Sequence, residues 1–235
     1  MMGLGVTVSW RCALVAAVAA AAACASSASA QVIVYNMNSN NGFFTPFNPG
    51  NANTGIRYGD SGWLGGPGSP PVALTELDLN LATFGSLAGG LTDLKITVND
   101  GDPSGLVFGS GAPLFSTTIT NVTLPADVDL NTPTYFTLSI PLPAVLTLGG
   151  FNNVGFSVEC KNYNFAGQFG FQASNGGGAG TVGFFTNNAS FYDGSTWSLF
   201  SFGGPAIFSA TFQTPAPGAA SLFALGGVAA LRRRR

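Results

Sequence analysis

From Gln31 to Gln213 the sequence never sustains an apolar stripe at helical spacing. It offers short runs of Val, Ile, Thr, Phe and Leu, each closed by Gly, Asn, Pro or Asp. Runs of that length with that punctuation form strands joined by tight turns. Alternation then says which side of each strand is apolar. In the run 74–81, Leu77, Leu79 and Leu81 share one side, and Glu76, Asp78 and Asn80 take the other. In the run 91–99, Leu94, Ile96 and Val98 oppose Asp93, Lys95 and Thr97.

Further strands are expected at 31–37, 106–108, 114–122, 134–140, 154–159, 165–172, 181–185, 191–192, 196–200 and 206–212. Pro141 and Pro143 should end the run 134–140, because proline removes a ladder donor. Residues 38–71 read as turn chemistry, with one brief strand near 56–58. So many short strands predict an all-β, antiparallel two-sheet sandwich, jelly-roll-like, with phenylalanines filling the core. Helix is expected only in an N-terminal signal segment and a C-terminal apolar segment.

The N-terminus has the three parts of a secretory signal peptide. Arg11 precedes a long apolar, alanine-rich run, and Ala28-Ser29-Ala30 supplies the small-residue cleavage pattern. Gln31 is the expected first mature residue, so residues 1–30 are signal, 31–213 the sandwich domain and 214–235 a distinct tail. Ala21-Ala22-Ala23 before Cys24 does not suit a lipoprotein signal. Cys12 and Cys24 would leave with the signal peptide. Cys160 then stands alone, without an internal disulfide partner, and its place in an alternating run points it inward.

Charge narrows the function classes. The body 31–213 holds all ten acidic residues against Arg57, Lys95 and Lys161, a net of −7. That balance argues against nucleic acid, which wants a basic stripe. Charged residues are 8% of the chain, against about 25% in ordinary soluble domains. Asn, Ser, Thr and Gly must therefore cover the surface.

The chain has no histidine, which removes the commonest general base near neutral pH and the commonest zinc ligand. Glycoside hydrolysis would need two converging carboxylates. Glu76, Asp78, Asp93, Glu159 and Asp193 are the candidates, and alternation puts Glu76 and Asp78 on a solvated face. No catalytic residue and no cofactor is expected. Asp100-Gly101-Asp102-Pro103-Ser104-Gly105 resembles the start of a calcium loop, with Asp100 and Asp102 as candidate ligands. The twelfth position is Gly111 where a glutamate is needed, and a type I turn explains the same letters without metal. Trp63, in a glycine-rich loop, and Trp197, entering a strand, are candidates for a sugar-stacking platform, with core or sheet-edge packing as the alternative.

The tail carries a family resemblance. Pro215-Ala216-Pro217, the apolar residues 218–231 and Arg232-Arg233-Arg234-Arg235 resemble the PEP-CTERM sorting signal. That signal consists of a Pro-Glu-Pro-like motif, an apolar segment and a terminal basic cluster. Ala216 stands where glutamate is usual, and the layout is similar to variants in planctomycete-like bacteria. The resemblance implies export, exopolysaccharide-producing surroundings and processing by an exosortase-like membrane enzyme. Physically, residues 219–231 would span about 20 Å as a helix, short of the roughly 30 Å hydrocarbon core. Such a segment suits a transient stop with the arginines on the cytoplasmic side. The expected function is a non-catalytic exported protein of the cell surface or extracellular matrix, associated with exopolysaccharide. The alternative is a carbohydrate-binding module using Trp63 or Trp197.

Overall fold

The computed structural model describes residues 31–36, 40, 42–47, 55–64, 68–147, 152–174, 184–185, 189–200 and 207–215. Residues Val32–Thr214 form one compact unit. The expected signal peptide, its helix and the apolar tail helix lie outside the described residues.

In chain order the strands are β1 (Gln31–Asn36), β2 (Phe44–Pro46), β3 (Arg57–Trp63), β4 (Ala73–Phe84), β5 (Gly90–Gly101), β6 (Gly109–Leu124) and β7 (Thr134–Leu146). They continue as β8 (Asn153–Asn164), β9 (Gln168–Gln172), β10 (Phe184–Phe185), β11 (Ala189–Tyr192), β12 (Trp197–Phe200) and β13 (Ala210–Pro215). No helix occurs among the described residues. The chain is an all-β sandwich of two antiparallel sheets.

In the six-stranded sheet, β4 pairs along one edge with β7. Its other edge is shared by β13, opposite Glu76–Leu79, and β9, opposite Leu81–Phe84. β2 extends the sheet beyond β9, and β1 flanks β13. The seven-stranded sheet runs β12-β11-β3-β8-β5-β6, with β10 on β3. The path β2-β9-β4-β7 lies in one sheet and β3-β8-β5-β6 in the other. Between β2 and β9 the chain therefore changes sheet at every connection except β5 to β6.

The alternation read from the sequence sets the core. Leu77, Leu79, Leu81, Leu94, Ile96 and Val98 are all fully buried. Phe156 of β8 packs across the interior on Phe171 of β9 at 5.7 Å and on Phe212 of β13 at 6.4 Å between ring centroids. Phe171 stacks on Phe208 at 4.5 Å. Each ring so buried contributes about 1.5–3 kcal/mol relative to exposure. The outward positions Ser116, Thr118 and Thr120 of β6, and Thr137 and Ser139 of β7, are exposed hydroxyls.

Three local expectations are corrected. β7 runs through Pro141 and Pro143 to Leu146. It pairs only with β4, and Pro141 stands opposite Glu76 beside a register shift, so its missing N–H leaves no regular ladder position empty. Residues 106–108 are not a strand, because the Leu106 and Val107 N–H groups turn inward to the Asp102 carboxylate. The turn-like region 38–71 contains β2 as well as a β3 longer than expected. β3 reads Arg-Tyr-Gly-Asp-Ser-Gly-Trp, too polar and glycine-rich to be heard as a strand.

One of its own glycines and one of β8 explain that composition. A Cβ on Gly59 would lie 2.3 Å from the Phe156 carbonyl oxygen and 2.9 Å from Pro103. One on Gly155 of β8 would lie 1.9 Å from the Gly101 carbonyl oxygen. The β5–β6 connection thus folds back onto the outer face of the seven-stranded sheet, and only glycine beneath it allows the approach.

Candidate functional site

Outward positions of the seven-stranded sheet line up across its strands. Thr118 (β6) stands opposite Lys95 (β5), Lys95 opposite Glu159 (β8), and Glu159 opposite Arg57 (β3). Arg57 in turn stands opposite Tyr192 (β11), and Tyr192 opposite Trp197 (β12). Facing residues on neighbouring strands are close enough for their side chains to interact. The Arg57 guanidinium sits 5.0 Å above the Tyr192 ring, and the Tyr192 and Trp197 rings are 5.2 Å apart. Glu159 is the hub: Arg57 Nε approaches its Oε2 at 3.7 Å, and Lys161 Nζ its Oε1 at 3.1 Å.

The Glu159 side chain is 7% exposed, while Arg57 and Lys161 are 36% and 42% exposed. One buried carboxylate therefore holds two cations that still reach solvent. All three basic residues of the body thus gather on one face, around one transverse row. Asp93 is the second acid nearby, standing opposite Lys161 in register. Its oxygens accept from the Asn121 N–H at 2.8 Å and the Asn162 side-chain amide at 2.5 Å. Those bonds, the Asn121 one foremost, hold its carboxyl below the usual carboxylate range. Asn121 and Asn162 both have positive φ, so Asp93 ties down one left-handed residue within β6 and one within β8.

Asp100 and Asp102 organise the β5–β6 connection. Asp102 is 1% exposed. It accepts from the backbone N–H groups of Ser104, Leu106 and Val107, at 3.2, 3.1 and 3.1 Å, and from the hydroxyls of Ser104 and Ser190. Donors of this chain occupy both of its oxygens. Asp100 Oδ2 accepts from the Ser110 N–H and hydroxyl, at 3.2 and 2.7 Å, while its buried Oδ1 has no partner. Among the described residues no three His, Cys, Asp or Glu side chains gather as a metal-ligand set. Asp60 and Asp127, both buried, serve the same anchoring purpose. Asp60 accepts from the Phe208 N–H at 2.7 Å, and Asp127 from the Thr83 hydroxyl at 2.8 Å and the Ser86 N–H at 2.9 Å.

The other singled-out residues are dispersed. Trp63 ends β3 as a strand residue, not a loop residue, and sets its ring edge-on to Phe108 at 5.4 Å. It shares the outer face with Arg57 but lies six residues along β3, about 20 Å away. Trp63 and Trp197 therefore do not form one platform. Glu76 and Asp78 lie on the outer face of the other sheet, half-buried, where the Gln213 amide donates to both, at 3.0 and 2.8 Å. Asp193 holds the β11–β12 turn through the Ser195 and Thr196 N–H groups, which keep its carboxyl low. Cys160 is buried with Thr92 Oγ1 3.0 Å from its sulfur. Burial outweighs that hydrogen bond and pushes the thiol up to about 11, so it is a poor nucleophile.

Pro215 is the last residue of β13, and Ala216, Pro217 and Arg232 to Arg235 lie outside the described residues. No helix of the described residues is long and apolar enough to cross a membrane. No protein-family model matches the chain, and neither a curated protein nor a solved structure matches it.

The row could not have been found by scanning for motifs. Alternation places Lys95 outward, but its alignment with Glu159, Arg57 and Tyr192 depends on the register of strands far apart in sequence. The one local signal was the spacing Glu159-Cys160-Lys161, which puts opposite charges on one side of a strand.

Proposed function

We propose that this chain is a non-catalytic protein exported to the cell surface or extracellular matrix, where it associates with exopolysaccharide. In this reading residues 1–30 direct export. The tail from Pro215 to Arg235 is sorted by an exosortase-like enzyme at the membrane, with the four arginines kept on the cytoplasmic side. The observation that carries it is the order of parts along the chain: a signal-like segment, a self-contained unit at Val32–Thr214, then the Pro-Ala-Pro, apolar and tetra-arginine segments.

Two findings support a binding or structural role over a catalytic one. The acids that reach outward are taken up in pairing, as Glu76 and Asp78 are by Gln213 and Glu159 is by Arg57 and Lys161. The buried acids Asp60, Asp102 and Asp127 accept backbone N–H groups that hold loops in place. The interleaved order β2-β9-β4-β7 and β3-β8-β5-β6 supports the jelly-roll form of the sandwich, an architecture common among lectin domains. The carbohydrate-binding alternative is favoured by the Tyr192–Trp197 pair more than by Trp63.

Replacing Arg232 to Arg235 with Ser tests the sorting reading in the native bacterium. The variant should be released into the medium with its apolar segment intact, while the natural chain stays with the cell or matrix. Identical distribution of the two would refute it.

A further inference from the structure

We propose that the transverse row on the outer face of the seven-stranded sheet binds an acidic saccharide chain, one bearing uronate or sulfate groups. This rests on the reading of the protein as polysaccharide-associated and gives that partner a chemistry and a place. The first support is the distribution of charge. The body carries ten acids and three cations, yet Lys95, Lys161 and Arg57 all stand around Glu159. Chance placement on so acidic a body would scatter them, and a purely structural ion pair would need only one.

The second support is geometry. Glu159 is buried and fixes the two cations it touches, whose side chains remain 36% and 42% exposed. Arg57 lies over the Tyr192 ring with its side chain 36% exposed, so its guanidinium has donors to offer a carboxylate or sulfate. The third is the neighbouring aromatic pair. Tyr192 and Trp197, both half-buried, continue the row past Arg57, so a sugar face can stack beside the cation that takes its acid group. Six strands at about 4.8 Å spacing make the row roughly 24 Å across, long enough for a chain and not merely one ring.

The test uses the full chain in mild non-ionic detergent, titrated calorimetrically with polygalacturonate, dextran sulfate and neutral dextran. Binding of polygalacturonate identifies uronate as the recognised group, and binding of dextran sulfate identifies sulfate. Affinity should fall as salt is raised, because the contacts reach solvent. The double variant Lys95→Gln/Lys161→Gln should weaken binding about fivefold, and Trp197→Ala should weaken it further. Arg57→Lys, which keeps the charge but loses the flat fork, should also bind less well. Thermal unfolding of each variant confirms that the fold is retained. The proposal is overturned if the anionic chains bind equally well to all variants, if neutral dextran binds as tightly as they do, or if no saccharide binds. Those outcomes leave the sorting reading untouched, since it is decided separately by the fate of the C-terminus.

Discussion

Replacing Asp102, in the β5–β6 connection, should destabilise the protein more than any other single change at a polar residue on the outer face of the seven-stranded sheet. Asp102→Ala removes the acceptor for three backbone N–H groups and two hydroxyls. Leu106 and Val107 are exposed, so their N–H groups can return to water at modest cost. The Ser190 hydroxyl cannot, because Ser190 is 1% exposed. Hydrogen bonds to a charged group are worth about 1.5–3 kcal/mol when buried and less when rehydrated, so the set loses about 3 kcal/mol. For a domain of this size that lowers the melting temperature by about 6–12 °C. Asp102→Asn should be nearly as damaging, since its amide N–H₂ would face donors. Ser190→Ala, which deletes one bond, should cost about 1 kcal/mol. Urea unfolding followed by tryptophan fluorescence measures all three. Millimolar calcium should leave the melting temperature of the natural chain unchanged, because donors of the protein already occupy both Asp102 oxygens. A loss below about 1 kcal/mol for Asp102→Ala, or a calcium-dependent rise that Asp102→Asn abolishes, would refute the anchoring account.

Phe156→Ala should cost about 3–5 kcal/mol, since it opens a cavity between the sheets where Phe171 and Phe212 meet the ring; differential scanning calorimetry reads it. Cys160 should resist iodoacetamide in the native protein and react once urea unfolds it. Its folded thiol titrates near 11 rather than 9, so its contribution to stability is complete below pH 9 and is lost as pH rises toward 11. Asp93, Asp129 and Asp193 are held low by hydrogen bonds, so their contribution is present above about pH 4 and lost as pH falls further. With no histidine in the chain, chemical denaturation midpoints should be nearly flat between pH 5 and 8.

The core was legible because it rests on a local rule. Leu77, Leu79, Leu81, Leu94, Ile96 and Val98 declare their face by alternation alone, and each is buried. β3 was not legible beyond its first residues, because Gly59 is selected by the backbone of β8 and by Pro103, partners that no window of sequence contains. The same holds for the site. Trp197 stood out as a residue type, but Arg57, Lys95 and Lys161 come together only through strand registers that join Lys95 and Arg57 to the distant Glu159 and Arg57 to Tyr192. Asp102 was noticed for a turn or a metal. The turn is there, closed by the Gly105 N–H on the Asp102 carbonyl, but a further partner, Ser190, comes from β11, which only the fold brings under the loop.

The intact mass of the protein recovered from the native bacterium tests the central claim most directly. The account predicts a species that begins at Gln31 and has lost Arg232 to Arg235, held with the cell surface or the extracellular polysaccharide. Recovery outside the cell of a chain that still carries all four arginines would contradict it.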